Sequence, residues 1–141
     1  MECTVKWAGE ARFVASTGSG HEVPMEGGAG ELGGRNQFPR PMELILSGAG
    51  GCTGYDVVLF LKREKCDFDS VEIIMDAQRA ETEPKVFTRV SYRYVVKGRN
   101  LDRALVERIV KSSAEKYSSA TAMLIKTAEI VIETEVVNVA S

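Results

Sequence analysis

Between Pro41 and Lys65 the chain reads PMELILSGAGGCTGYDVVLFLKREK, its longest apolar run. From Val57 to Leu61 five apolar residues follow one another, so a helix placed here is hydrophobic on nearly every side and not along one stripe. Such a helix predicts burial, and the rest of the chain has to be arranged to cover it. Gly48, Ala49, Gly50 and Gly51 precede Cys52, and apolar residues of helical character follow. Cys52 therefore reads as a thiol at a helix start, where the positive end of the macrodipole favours thiolate.

A length of 141 residues suffices for one domain with an interior that needs no staples. The division expected within it is residues 1–41 as N-terminal strands and a Gly-rich loop, 42–65 as the central helix, and 66–141 as a ββααβ lobe. A hydrophobic fraction of 44%, a charged fraction of 27% and a net charge of -2 describe an ordinary globular protein. The same balance argues against nucleic acid, whose binders need a basic surface to displace counterions. The opening MECTVKWAGE has no apolar core of signal length, and no segment reads as a full span of roughly 20 apolar residues. The expectation is a cytoplasmic chain without a membrane partner. Cys3, Cys52 and Cys66 show neither metal-ligand spacing nor an even disulfide framework, and His21 is the single histidine, so neither a metal nor another cofactor is expected.

Thr4 to Ala8 alternates around Val5 and Trp7, and Arg12 to Ser16 continues with Phe13 and Val14 after Gly9-Glu10; this reads as a hairpin. His21 to Met25 offers a third short strand, which Pro24 places at an edge. From Glu26 to Pro41 glycine dominates, which reads as a flexible connection ordered only by a partner surface. No GKS, GKT or strand–GxGxxG–helix unit accompanies these glycines, so they do not read as a phosphate cradle. Farther on, Phe68 to Arg79 and Val86 to Val96 alternate as two long strands around Thr82-Glu83-Pro84. Asn100 or Asp102 can cap a helix reaching about Tyr117, a second helix follows from about Ala120 to Lys126, and Glu129 to Val137 alternates as a last strand. Strands in antiparallel runs give an α+β class. In a chain this short, a helix apolar all round lacks enough protein of its own to cover it, which points to a second subunit in a two-fold pair.

The pattern PMELILSGAGGCTGYDVV (Pro41 to Val58), followed by SAEKYSSATAML (Ser113 to Leu124) and the ββ-helix layout between them, resembles the OsmC/Ohr family and its YhfA-like branch. The resemblance covers essentially the whole chain. It implies an OsmC-like fold: an intertwined homodimer in which strands of both subunits wrap two long central helices, with thiol sites at the interface. In peroxidase members of the family one cysteine attacks an organic hydroperoxide, a second closes a disulfide, and a dithiol reductant reopens it. Cys52 matches the attacking position. Ser118 falls where the second cysteine is expected, and a hydroxyl has no redox chemistry with a sulfenic acid. Met42 stands where a helper glutamate is expected, with Glu43 one position later and turned about 100° from it on a helix. For the family's arginine, Arg12 lies in the right region, and Arg35 and Arg40 lie in the Gly-rich loop.

Against these roles, Cys66 follows Lys62, Arg63 and Lys65, a basic setting expected to lower a thiol pKa, yet its place is a solvent-side helix end. His21 reads as a surface residue, and Trp7, Tyr55 and Tyr117 as core aromatics. Three functions remain open at this level. The first is thiol-dependent reduction of organic hydroperoxides through Cys52. The second is a non-enzymatic dimer that binds a small hydrophobic ligand or a protein, and the third is a Cys52 redox sensor.

Overall fold

In the computed structural model, which describes residues 1–140, strands and helices group into two compact units, Met1–Ile45 and the chain from Leu46 onward.

The first unit is an antiparallel meander of β1 (Cys3–Trp7), β2 (Arg12–Thr17) and β3 (Glu22–Glu26), in that spatial order. The turn from β1 to β2 places Gly9 and Glu10 at positive φ (99° and 48°), and the Trp7 indole N–H donates to the Glu10 carbonyl at 2.9 Å. Pro24 pairs with Val14 on the edge strand β3, where its missing N–H costs no ladder bond. Across β1 and β2, Trp7 lies opposite Phe13 and Val5 opposite Ala15. Trp7 and Val5 are 62% and 56% exposed, so an apolar face of this sheet stands open in the single chain.

The Gly-rich segment is ordered within its own unit, contrary to the expectation of a flexible connection that needs a partner. Glu26 at the end of β3 is 2% exposed, and its carboxylate accepts the backbone N–H of Arg35 at 2.9 Å and of Gln37 at 2.7 Å. Those amides, with Phe38 and the charge of Arg12, hold the Glu26 carboxyl below its ordinary range despite burial. Loop closure is tight at Gly34, where a Cβ would fall 2.2 Å from the Gly27 carbonyl oxygen.

α1 runs from Pro41 to Arg63. Pro41 occupies the first helical position, whose missing N–H costs nothing there. Glu43 reaches back to accept the Arg40 N–H at 2.8 Å, the reciprocal arm of a capping box. At the far end Lys65 adopts φ 57°, the Cys66 N–H returns to the Leu61 carbonyl at 3.0 Å, and the Lys65 N–H to Lys62 at 3.0 Å. This is a Schellman closure with lysine in the left-handed position.

The second unit holds a sheet of β4 (Asp67–Arg79), β5 (Phe87–Arg99) and β6 (Glu129–Asn138), ordered β4-β5-β6. β4 and β5 form the expected long hairpin, but β6 joins β5 in parallel, a departure from purely antiparallel pairing. The cause is the crossover between them: α2 (Arg103–Ser112), a π-helical turn (Ser113–Tyr117) and α3 (Ser119–Leu124) carry the chain back to the same end of the sheet. Of the two expected caps Asp102 acts, its Oδ1 accepting Ala104 N–H at 3.0 Å. On β5 alternate residues Val90, Tyr92, Tyr94 and Val96 are buried. At the β4 end Asp69 bulges from the register, and Gly98 leaves room for it: a Cβ there would meet the Asp67 carbonyl oxygen at 2.1 Å.

Burial of α1 is narrower in the single chain than its composition predicts. Ala49, Thr53, Val57 and Leu61, four residues apart, form the buried stripe, whereas Ile45 and Tyr55 are 50% and 71% exposed. By length and composition α1 is also apolar enough to cross a bilayer, which the sequence reading did not anticipate because Glu43, Asp56 and the glycines interrupt it.

Candidate active site around Cys52

Cys52 lies about three turns inside α1, not at a helix start. The dipole effect is confined to the first turn, so the expected activation from that source is absent. Of the glycines that flank Cys52, Gly50 and Gly54 are packing positions. A Cβ on Gly50 would fall 2.8 Å from Met75 Sδ, and one on Gly54 would fall 3.1 Å from Ile73 Cδ1. Met75 pairs with Tyr92 and Ile73 with Tyr94, so Cys52 and Thr53 sit between two rows of the sheet, each carrying a buried tyrosine. Cys52 itself is free and exposed.

Thr53 is fully buried. Its hydroxyl lies 2.7 Å from Tyr94 Oη and 2.7 Å from Ser113 Oγ, and Ser113 Oγ donates to the Thr53 carbonyl at 2.9 Å. Each hydroxyl has one proton. Since Ser113 spends its proton on the carbonyl, Thr53 donates to Ser113 and Tyr94 donates to Thr53. Burial pushes the Tyr94 phenol up to about 12, against the opposing effect of Thr53. All three hydroxyls are satisfied, as a dry interior requires. The residue after the thiol is thereby locked through both its side chain and its carbonyl.

A second hydroxyl chain runs alongside. Tyr92 Oη lies 2.8 Å from Thr121 Oγ1, and Ser118 Oγ donates to Thr121 Oγ1 at 2.9 Å. The Tyr92 and Tyr94 rings stack with centroids 6.1 Å apart. Burial raises the Tyr92 phenol, the Thr121 bond opposes this, and negative charge on Cys52 raises it further. Cys52 is thus within electrostatic reach of this chain.

The residue at the second-cysteine position has a structural task. Ser118, 4% exposed, is the N-cap of α3 and accepts the Thr121 N–H at 3.3 Å. The other thiols sit elsewhere in the fold: Cys3 is exposed on β1, and Cys66 is half-buried in the helix closure. Burial, then the carboxylates of Glu64 and Asp102, push the Cys66 thiol up. This reverses the expectation drawn from its lysine and arginine neighbours, because burial disfavours the thiolate first and the charges of Glu64 and Asp102 add to it.

The remaining predicted site residues are engaged within Met1–Ile45. Arg12 Nη2 donates to Gln37 Oε1 at 2.9 Å and its guanidinium lies 4.9 Å from the Phe38 ring centroid, while its Nε is buried without a partner, as is Arg40 Nη1. Arg35 pairs with Glu10 at 3.0 Å. Glu43 caps its own helix. Sequence reasoning missed Thr53, Ser113, Tyr92, Tyr94 and Thr121. The available signal was Thr53 itself, one polar residue on the stripe Ala49, Val57, Leu61, which needs buried partners. Among the described residues no three His, Cys, Asp or Glu side chains converge as a metal site.

Comparison with known proteins identifies the family and the fold. The model of the family described as OsmC-like protein matches residues 34–135. The chain is 38% identical over 137 residues to Protein YhfA of Escherichia coli (strain K12), covering 97% of this chain and 98% of that protein. A solved structure from Aquifex aeolicus VF5 superposes with a TM-score of 0.83 at 29% identity, over 96% of this chain and 94% of that one. The organic hydroperoxide resistance protein OsmC of Legionella pneumophila shares the fold at a TM-score of 0.72 and 16% identity, over 95% of both chains. The residues matched by the family model contain α1 with Cys52, both hydroxyl chains, β4, β5 and most of β6, and the chain belongs to the OsmC-like family.

Proposed function

We propose that this protein reduces organic hydroperoxides with Cys52 as its single reacting thiol, in a cytoplasmic homodimer, using an external dithiol as reductant. The observation that carries the reading is an exposed thiol on a helix whose next residue, Thr53, is locked by three buried hydrogen bonds. Support for the substrate class comes from family membership and from the organic hydroperoxide resistance protein that shares the fold. Support for pairing comes from the apolar sides of α1 left open in one chain.

The chemistry balances with one protein cysteine. The Cys52 thiolate attacks the outer peroxide oxygen, the O–O bond breaks, and the alcohol leaves with a proton taken from solvent; sulfur loses two electrons and becomes sulfenic acid. One thiol of the reductant then attacks that sulfur and releases water. The second thiol displaces Cys52 from the mixed disulfide, leaving the reductant oxidised. Ser118 contributes no electrons to either step.

Purified protein should consume cumene hydroperoxide in the presence of a dithiol, and Cys52→Ala should reduce the rate to background. Equal rates for the two proteins remove the proposal. Ser118, committed to a helix cap, also favours a second reading, a redox sensor: one equivalent of peroxide consumed per chain, with no recycling by dithiol, would select it.

A further inference from the structure

The end of α1, the outer face of α2 and the π-helical turn enclose a groove of about 520 Å³, a size that suits a small organic molecule. Its floor is apolar. Ile109 is 6% exposed, Leu105 lies beside it, and Phe60 and Tyr117 meet edge to face with ring centroids 5.1 Å apart. The wide π turn is what presents Tyr117 there. An ordinary α-helical turn would rotate each later side chain to another bearing, and such turns recur where a helix serves a site.

The rim is charged and uncommitted. Arg63 and Arg108 both line the groove, and neither takes part in an ion pair among the described residues. Arg63 instead rests with its guanidinium carbon 5.6 Å from the Phe60 ring centroid, within cation–π range of the aromatic floor. Glu64 is also on the rim, so two cations and one carboxylate leave a single net positive charge. Ser112 adds a hydroxyl that makes no capping bond. An apolar floor with convergent donors and one net positive charge selects a planar hydrophobic body bearing one negative charge.

We propose that this groove binds a small aromatic monoanion, its carboxylate held by Arg63 and Arg108 and its ring laid on Phe60, Tyr117 and Ile109. The site is separate from Cys52 and does not depend on peroxide chemistry.

The test titrates 2-naphthoate into the full chain, followed by amide NMR shifts and calorimetry. Shifts should centre on Leu105, Arg108 and Tyr117. Arg108→Gln should weaken binding about tenfold, the loss expected for one charge-assisted contact. Neutral 2-naphthalenemethanol should bind more weakly than naphthoate and lose nothing further in Arg108→Gln, whereas Cys52→Ala should leave naphthoate binding unchanged. Arg108 is exposed, so its replacement leaves the fold in place. Equal binding by wild type and Arg108→Gln overturns the proposal, as does the absence of shifts at these residues at millimolar naphthoate, including the case in which a second subunit covers the groove.

Discussion

Single polar side chains in dry surroundings decide much of this protein. Thr53 fixes the aim of its neighbour, Ser118 closes a helix, and Glu26 organises a whole loop. Only the first two lie near motifs that the sequence made visible, and the partners of Thr53 could not be read there, because it meets Tyr94 and Ser113 from 41 and 60 residues away. Glu26 was hidden for another reason: a carboxylate before a glycine run looks solvated until backbone amides fold around it. Its folded pKa lies below the ordinary 4.5, so the stability it contributes is complete above that value and is lost as pH falls through the lowered one. On acidification below about 4.5, the Arg35 and Gln37 amide resonances should move upfield as their acceptor becomes neutral. Glu26→Gln should abolish that titration, and a titration unchanged in the variant would assign it to another acid.

At the scale of elements, α1 combines good ends with a costly middle. Four glycines (Gly48, Gly50, Gly51 and Gly54) interrupt it, each worth about 1 kcal/mol against alanine in a helix interior. Gly50 and Gly54 are explained by Met75 and Ile73, whereas Gly48 and Gly51 face open space in one chain. Reading Cys52 as a helix start behind these glycines was the natural error, since propensity is local and the packing that overrides it is not. Alternation, by contrast, located the β1-β2 hairpin and the long strands β4, β5 and β6, because a period-2 apolar pattern is written into consecutive residues. Parallel addition of β6 was not legible, as direction depends on where the crossover leaves the chain. The closure of α1 gives a further test: Lys65 holds φ 57°, where glycine is unstrained. Lys65→Gly should stabilise the protein by about 0.5–1 kcal/mol, measured by urea denaturation; a loss of stability would mean that the lysine stem packs usefully there.

For the whole molecule the open question is what covers the apolar sides of α1 and the face carrying Trp7 and Val5. A homodimer is the proposed answer, and Gly51 discriminates. In an isolated chain Gly51→Ala should gain about 1 kcal/mol of helix stability, because nothing lies within 4 Å of the added methyl. Where a second subunit packs against that side, the same methyl overfills the interface and self-association should weaken about tenfold by sedimentation. A more stable variant with unchanged association would remove this side of α1 from the subunit contact. The parallel docking of β6 has a separate consequence for the order in which the fold can be completed. β4 and β5 are joined by a short turn and can pair early, whereas β6 must wait until α2, the π turn and α3 have crossed the sheet. Until then β5 exposes an unsatisfied backbone edge 13 residues long. That edge accepts a strand from any chain that offers one, so the crossover helices also set how long a nascent copy is open to mispairing with its neighbours.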